Sequence, residues 1–230
     1  FTPLVGSLIY ELRVGPEKFL LLNFQEKNYV LDENSRYVRQ TWLGMDLSLT
    51  EIKWLILYSS LVGNSTLTIV WLVQPYLQAV DLPLAFFGAA WAALQFSVGL
   101  FAINAYRIES LLGRRNALVS LILLSSAGYL LLSQLQALWA TVFLFIFYLV
   151  RGINGPVLND YLNRCVNSDI RATVLSVKSL VGRVMFALLG PLVGWINDSY
   201  SLSSAFMACG VIFLTCGVFF LICLQRNKLL

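Results

Sequence analysis

Arg151 closes a long uncharged stretch, because positions 116–150 contain no Asp, Glu, Lys or Arg and Gly152 follows it. At mid-depth in a bilayer such a side chain costs roughly 2.5–3.5 kcal/mol on insertion scales, so it faces a cavity or a partner. Asp160 follows nine positions later. On a helix that is a rotation of about 180°, which rules it out as a same-face counter-ion. Arg151 must therefore meet a carbonyl, water, a substrate or a carboxylate on another helix. Two readings stay open, a functional arginine and a structural polar contact.

A second group lies upstream. Asn64, Thr68, Trp71, Pro75 and Gln78 fall at i, i+4, i+7, i+11 and i+14, a single helical stripe, with Gln74 and Tyr76 beside it and Gln95 in the next apolar run. Uncharged hydrogen-bonding groups with an aromatic ring suit a water-filled substrate route near the midplane. The competing reading is plain interhelical hydrogen bonding. A third group, Glu109 with Gly113, Arg114 and Arg115, stands where an apolar run ends. A carboxylate there can meet the positive end of a neighbouring helix, for which the one beginning near Ala172 is the expected partner, and a contact made in one state and broken in another is a gate. Surface anchoring by basic residues is the alternative. Gly182, Gly190 and Gly194 permit close helix approach, and Pro191 removes a hydrogen bond and bends its helix. Arg183 is expected to snorkel to the inner surface.

These residues need long apolar helices to hold them. Residues 54–80, 82–106, 116–150, 184–197 and 199–225 are free of charged side chains. A crossing helix takes ~20 residues, so 116–150 divides into two, broken near Ser133–Ala137. The spacing predicts six spans, at 52–78, 83–105, 115–134, 138–160, 172–197 and 204–225, in an all-α polytopic membrane protein. Composition agrees: the chain is 58% hydrophobic and 12% charged, with mean hydropathy +0.75, against roughly 25% charged in soluble domains. Residues 25–51 are polar and of mixed charge and read as a cytoplasmic linker, with a short amphipathic helix before Lys53. Residues 1–24 read as the remnant of a preceding transmembrane region, since the run at 19–24 is too short to cross. The chain begins with Phe1, not Met, and is read as lacking a preceding half.

Basic residues alternate between connections. Three arginines lie in 107–115, three more cations at Arg164, Arg171 and Lys178, and Arg226 and Lys228 in the tail, whereas the intervening connections hold only Asp81 and Asp198. This is the positive-inside pattern, which puts the 107–115 and 161–171 loops and the 226–230 tail in the cytoplasm. The net charge of +4 then reports topology; no single basic patch supports nucleic-acid binding. There is no histidine, so the commonest general base and metal ligand is missing. With no paired carboxylates at depth, an intramembrane enzyme, a metal site and a cofactor are not expected. Cys165, Cys209, Cys216 and Cys223 have no CxxC spacing and read as small packing residues.

The stretch Arg107-Ile108-Glu109-Ser110-Leu111-Leu112-Gly113-Arg114-Arg115 resembles the acidic-x-x-x-Gly-Arg-Arg loop of the major facilitator superfamily, with Glu109 one place earlier than the usual acid. Arg151-Gly152-Ile153-Asn154-Gly155-Pro156 resembles its Arg-x-x-x-Gly helix motif, and Gly182 with Gly190-Pro191-Leu192-Val193-Gly194 its Gly-Pro helix motif. Arg171-Ala172-Thr173-Val174-Leu175-Ser176 is similar to the start of that helix. The resemblance covers roughly 52–225 and implies the C-terminal six-helix half of a secondary transporter in the plasma (inner) membrane. It implies alternating access for a small-molecule substrate, with proton-coupled efflux as one form, and a missing N-terminal half or a second copy as partner alongside membrane lipid. Arg151, Asn154 and the Asn64–Gln78 stripe with Gln74 and Gln95 would line the route. Glu109, Gly113, Arg114 and Arg115 would gate it from inside, and Gly155, Gly182, Gly190, Pro191 and Gly194 would pack or hinge. The rival expectation is a non-transporting membrane fragment, anchor or assembly protein.

Overall fold

A computed structural model describes residues 12–13, 19–20, 29–31, 37–39, 49–164, 166 and 168–226. The chain divides into Phe1–Ser48 and Leu49–Leu230. In the first unit Leu12–Arg13 pairs antiparallel with Phe19–Leu20, and Tyr29–Leu31 with Tyr37–Arg39. Phe19–Leu20, within the run read as a transmembrane remnant, is thus a strand. The rest of the expected remnant at 1–24 and most of the 25–51 linker lie outside the described residues.

The second unit is all-helical: α1 Leu49–Ala79, α2 Phe87–Leu112, α3 Arg114–Gln134, α4 Leu144–Arg164, α5 Ser168–Ser199 and α6 Leu202–Arg226. Short 3-10 turns at Leu84–Phe86 and Leu138–Phe143 precede α2 and α4. With those turns counted, six segments are long and apolar enough to cross a membrane. The chain therefore reads as an integral membrane protein, and every expected span falls on one of these helices. Their sharpest boundary is Gly113, which alone connects α2 to α3 at φ 76°, ψ 155°, a conformation that side-chain-bearing residues resist.

Burial is uneven. In its most apolar window α1 is 72% buried, against 17% for α2 and 6% for α5. Helix α1 is thus the post around which the unit packs, and α5 turns most of its surface outward. Lipid offers backbone and phenol groups no hydrogen bonds, so they must be satisfied inside the bundle. Three tyrosines do this between α1 and α3 or its end. Tyr58 donates to the Leu118 carbonyl at 2.5 Å, Tyr129 to that of Ser65 at 2.6 Å, and Tyr76 to that of Leu135 at 3.0 Å. Tyr129 also anchors an aromatic core with Phe147, Phe206 and Phe213.

The glycines that allow close helix approach are not those expected. A Cβ at Gly155, Gly182 or Gly194 would meet nothing within 4 Å, and one at Gly190 only Phe186 of its own helix. Packing glycines lie elsewhere. A Cβ at Gly152 would come within 2.8 Å of the Val98 carbonyl on α2, at Gly210 within 2.8 Å of Leu130, and at Gly217 within van der Waals overlap of Ile122 on α3. The cause is the placement of α5: its glycines lie on a helix that the rest of the unit barely covers. Pro191 is exposed on the same helix.

Candidate functional site

Helices α1, α4 and α5 meet along a polar seam that climbs from the end carrying Arg164 and Arg171. At the lowest level Lys178 Nζ on α5 donates to Asn159 Oδ1 on α4 at 2.6 Å, and Ser60 Oγ on α1 donates to the Lys178 carbonyl at 3.3 Å. One turn up, Asn64 Nδ2 donates to the Ser60 carbonyl at 2.8 Å and to the Gly182 carbonyl on α5 at 3.1 Å. At that level Asn154 Nδ2 on α4 lies 3.8 Å from where a Gly63 Cβ would stand. Higher still, Trp71 stacks on Phe186, with ring centroids 6.3 Å apart. Asn64 is thus tied to α5 through the Gly182 carbonyl, and Asn154 approaches α1 at Gly63.

The seam is incompletely satisfied. Asn64 is only 2% exposed, yet its Oδ1 has no hydrogen-bond partner, and neither has Asn154 Oδ1 or the Tyr148 hydroxyl. Buried polar atoms are nearly always paired, because each one left alone costs about 1–3 kcal/mol. Arg151 stands one turn from Asn154 and within electrostatic reach of Tyr148. Its span runs Leu138–Arg164, which leaves 151 − 138 = 13 and 164 − 151 = 13 residues on either side. It is half-buried and makes no hydrogen bond or ion pair among the described residues.

Arg183 adds a second unpaired cation. Its span, Arg171–Ser199, has its midpoint at 185, so an upright helix puts Arg183 ~3 Å from the centre and ~12 Å inside the hydrocarbon edge. Arg183 is exposed and lines an open hollow of about 440 Å³ with Leu175, Ser176, Ser179 and Leu180, all on α5.

The rest of the expected route is scattered. Thr68 is buried, with its hydroxyl facing the Tyr129 phenol and α3, away from the seam. Trp71 is 68% exposed, and Gln74, Gln78 and Gln95 lie on exposed surface. These glutamines make no hydrogen bond among the described residues.

At the end carrying the basic connections, Glu109 Oε1 accepts from the Tyr161 hydroxyl on α4 at 2.5 Å. The Arg114 guanidinium lies 4.6 Å above the centre of the Tyr161 ring. Asp160 pairs with Arg164 at 2.7 Å, while Arg115 and Gly113 are exposed. Thus Glu109 engages α4 and not the helix beginning near Ala172, and Tyr161 is the member that sequence reasoning missed. Its signal was its place beside Asp160 one turn before the helix end. Arg115 takes no part in the cluster.

No protein-family model, curated protein or solved structure matches the chain.

Proposed function

We propose that this chain is one six-helix bundle of a secondary transporter that works by alternating access, of the architecture its motifs resemble in the major facilitator superfamily. The observation that carries it is Arg151, midway along its span, half-buried and unpaired one turn from Asn154, whose buried amide oxygen also lacks a partner. Lipid can hydrate neither. A solute path supplies both water and ligand. The uncovered surface of α5 supports a facing bundle, from a preceding half or a second copy. The Glu109–Tyr161–Arg114 cluster, at the end given to the cytoplasm by the positive-inside pattern, serves as the inner gate.

The carboxylates in the six spans with described side chains are Glu109, Asp160 and Asp198, each within four residues of an end. Any proton coupling therefore falls to the facing bundle. The plasma membrane is the expected location, with the 107–115 and 161–171 loops and the tail inside.

The test is uptake into proteoliposomes across a panel of small solutes, with the wild type set against Arg151→Ala. Transport by the wild type and its loss in the variant support the proposal; equal transport by both removes Arg151 from the path. The uncovered face of α5 also favours a second reading, a non-transporting assembly partner. In that case no solute moves, and α5 crosslinks to another membrane protein.

A further inference from the structure

Helix α5 is held from one side. At four-residue steps Lys178, Gly182 and Phe186 meet Asn159, Asn64 and Trp71 on α4 and α1. Arg183 follows Gly182 by a rotation of about 100°, which turns it off that seam and onto the open side, where Leu180 and Leu188 are 60% and 72% exposed. It stands 183 − 171 = 12 residues from one end of its span and 199 − 183 = 16 from the other. It makes no hydrogen bond or ion pair among the described residues. A lone guanidinium at that level of the hydrocarbon is unfavourable and calls for a partner.

The described bundle has no counter-ion to give it. Glu109, Asp160 and Asp198 each lie within four residues of an end of a span, and Asp160 is already paired with Arg164. A second copy brings the same carboxylates at the same shallow levels. Packing α5 on α5 about a two-fold axis at mid-span would set Arg183 against Arg183, and like charges repel.

We infer that the open face of α5 docks a transmembrane helix, different from the six described, that carries an Asp or Glu near its middle and pairs it with Arg183. A guanidinium and a carboxylate meet there through charge-assisted hydrogen bonds. The small side chains of Ser176 and Ser179, in the hollow that ends at Arg183, let the partner's backbone come close. The inference rests on the reading that α5 faces a partner, and names what that partner carries; a facing transporter half and an assembly protein both satisfy it.

The test uses the full chain in two settings. In bicelles, fluorescence energy transfer measures its binding to synthetic leucine–alanine peptides of ~20 residues, with Glu, Gln or Lys at the centre or Glu one turn from the end. The central-Glu peptide is expected to bind about tenfold or more tighter than the other three. Arg183→Gln removes that margin, Arg183→Glu transfers the preference to the central-Lys peptide, and Arg171→Gln at the helix end leaves it unchanged. Arg183 is exposed, so these variants leave the packed core intact. In native membranes, p-benzoyl-phenylalanine placed at the exposed Ala187, one turn from Arg183, is expected to crosslink to a helix with Asp or Glu near its middle. Equal binding of the central Glu and Gln peptides, or a margin that survives Arg183→Gln, overturns the inference. So do crosslinks confined to lipid, to a second copy or to a helix without such an acid. Uptake into proteoliposomes separates the two claims. A central-Glu preference without uptake sinks transport alone, and uptake without that preference sinks the inference alone.

Discussion

Gly152→Ala tests the fit between α2 and α4 most directly. The added methyl would stand 2.8 Å from the Val98 carbonyl oxygen and from Phe101 Cβ, and 3.2 Å from the Ala102 nitrogen, where ordinary contact starts at 3.4 Å. The shortfall is 3.4 − 2.8 = 0.6 Å. Two of the three obstacles are backbone, so no rotamer change relieves them, and the helices must separate along the level of Arg151. Overpacking of this kind costs about 1–3 kcal/mol, and alanine returns up to ~1 kcal/mol in helix propensity. Gly155→Ala is the matched control, on the same helix with nothing within 4 Å of the new atom. Propensity cancels between the two variants, so Gly152→Ala should be less stable than Gly155→Ala by about 1–3 kcal/mol. Equilibrium unfolding in mixed detergent micelles measures the difference. Equal stability would refute the close approach of α2 to α4.

Other variants probe separate features. Gly113→Ala forces a side chain into φ 76°, ψ 155° and should cost about 1–3 kcal/mol in the same unfolding measurement. Tyr161→Phe removes the bond to Glu109 but keeps the ring beneath Arg114, and should lose about 1.5–3 kcal/mol. Arg114→Gln should lose ~0.5–2 kcal/mol of cation–π attraction, and no loss would remove Arg114 from the cluster. Gly217→Ala places its methyl into Ile122, whose branched side chain has little rotamer freedom. It should weaken α3–α6 packing by about 1–3 kcal/mol. Cysteines introduced singly at Ser110 and Gln225 should react with a membrane-impermeant thiol reagent from the same side of sealed vesicles; labelling from opposite sides would undo the topology.

The spans were legible because burial in lipid demands long uncharged runs, and those runs end where charge or proline returns. The split of 116–150 at Ser133–Ala137 is matched by the end of α3 at Gln134. What stayed hidden depends on neighbours distant in sequence. Helical spacing put Asn64 and Thr68 on one stripe, but a stripe is wide enough to serve two partners, so Asn64 turns to α5 and Thr68 to α3. Glycine content along α5 resembled an interface, yet only the packing reveals Gly152, Gly210 and Gly217 as the close-contact positions. Glu109 was recognisable as a helix-end acid, whereas its partner Tyr161, 52 positions away, follows from how α4 crosses α2 and not from local pattern.

The one-residue joint at Gly113 carries a mechanical consequence. With no slack between them, a tilt of α2 must be passed on to α3 and cannot be absorbed by a flexing connector. Helix α3 is keyed to α6 where Gly210 and Gly217 receive Leu130 and Ile122, and α6 follows α5 after only Tyr200 and Ser201. Four rods thus form a single train, in which a push on the Leu112 end of α2 is delivered to the far end of α5.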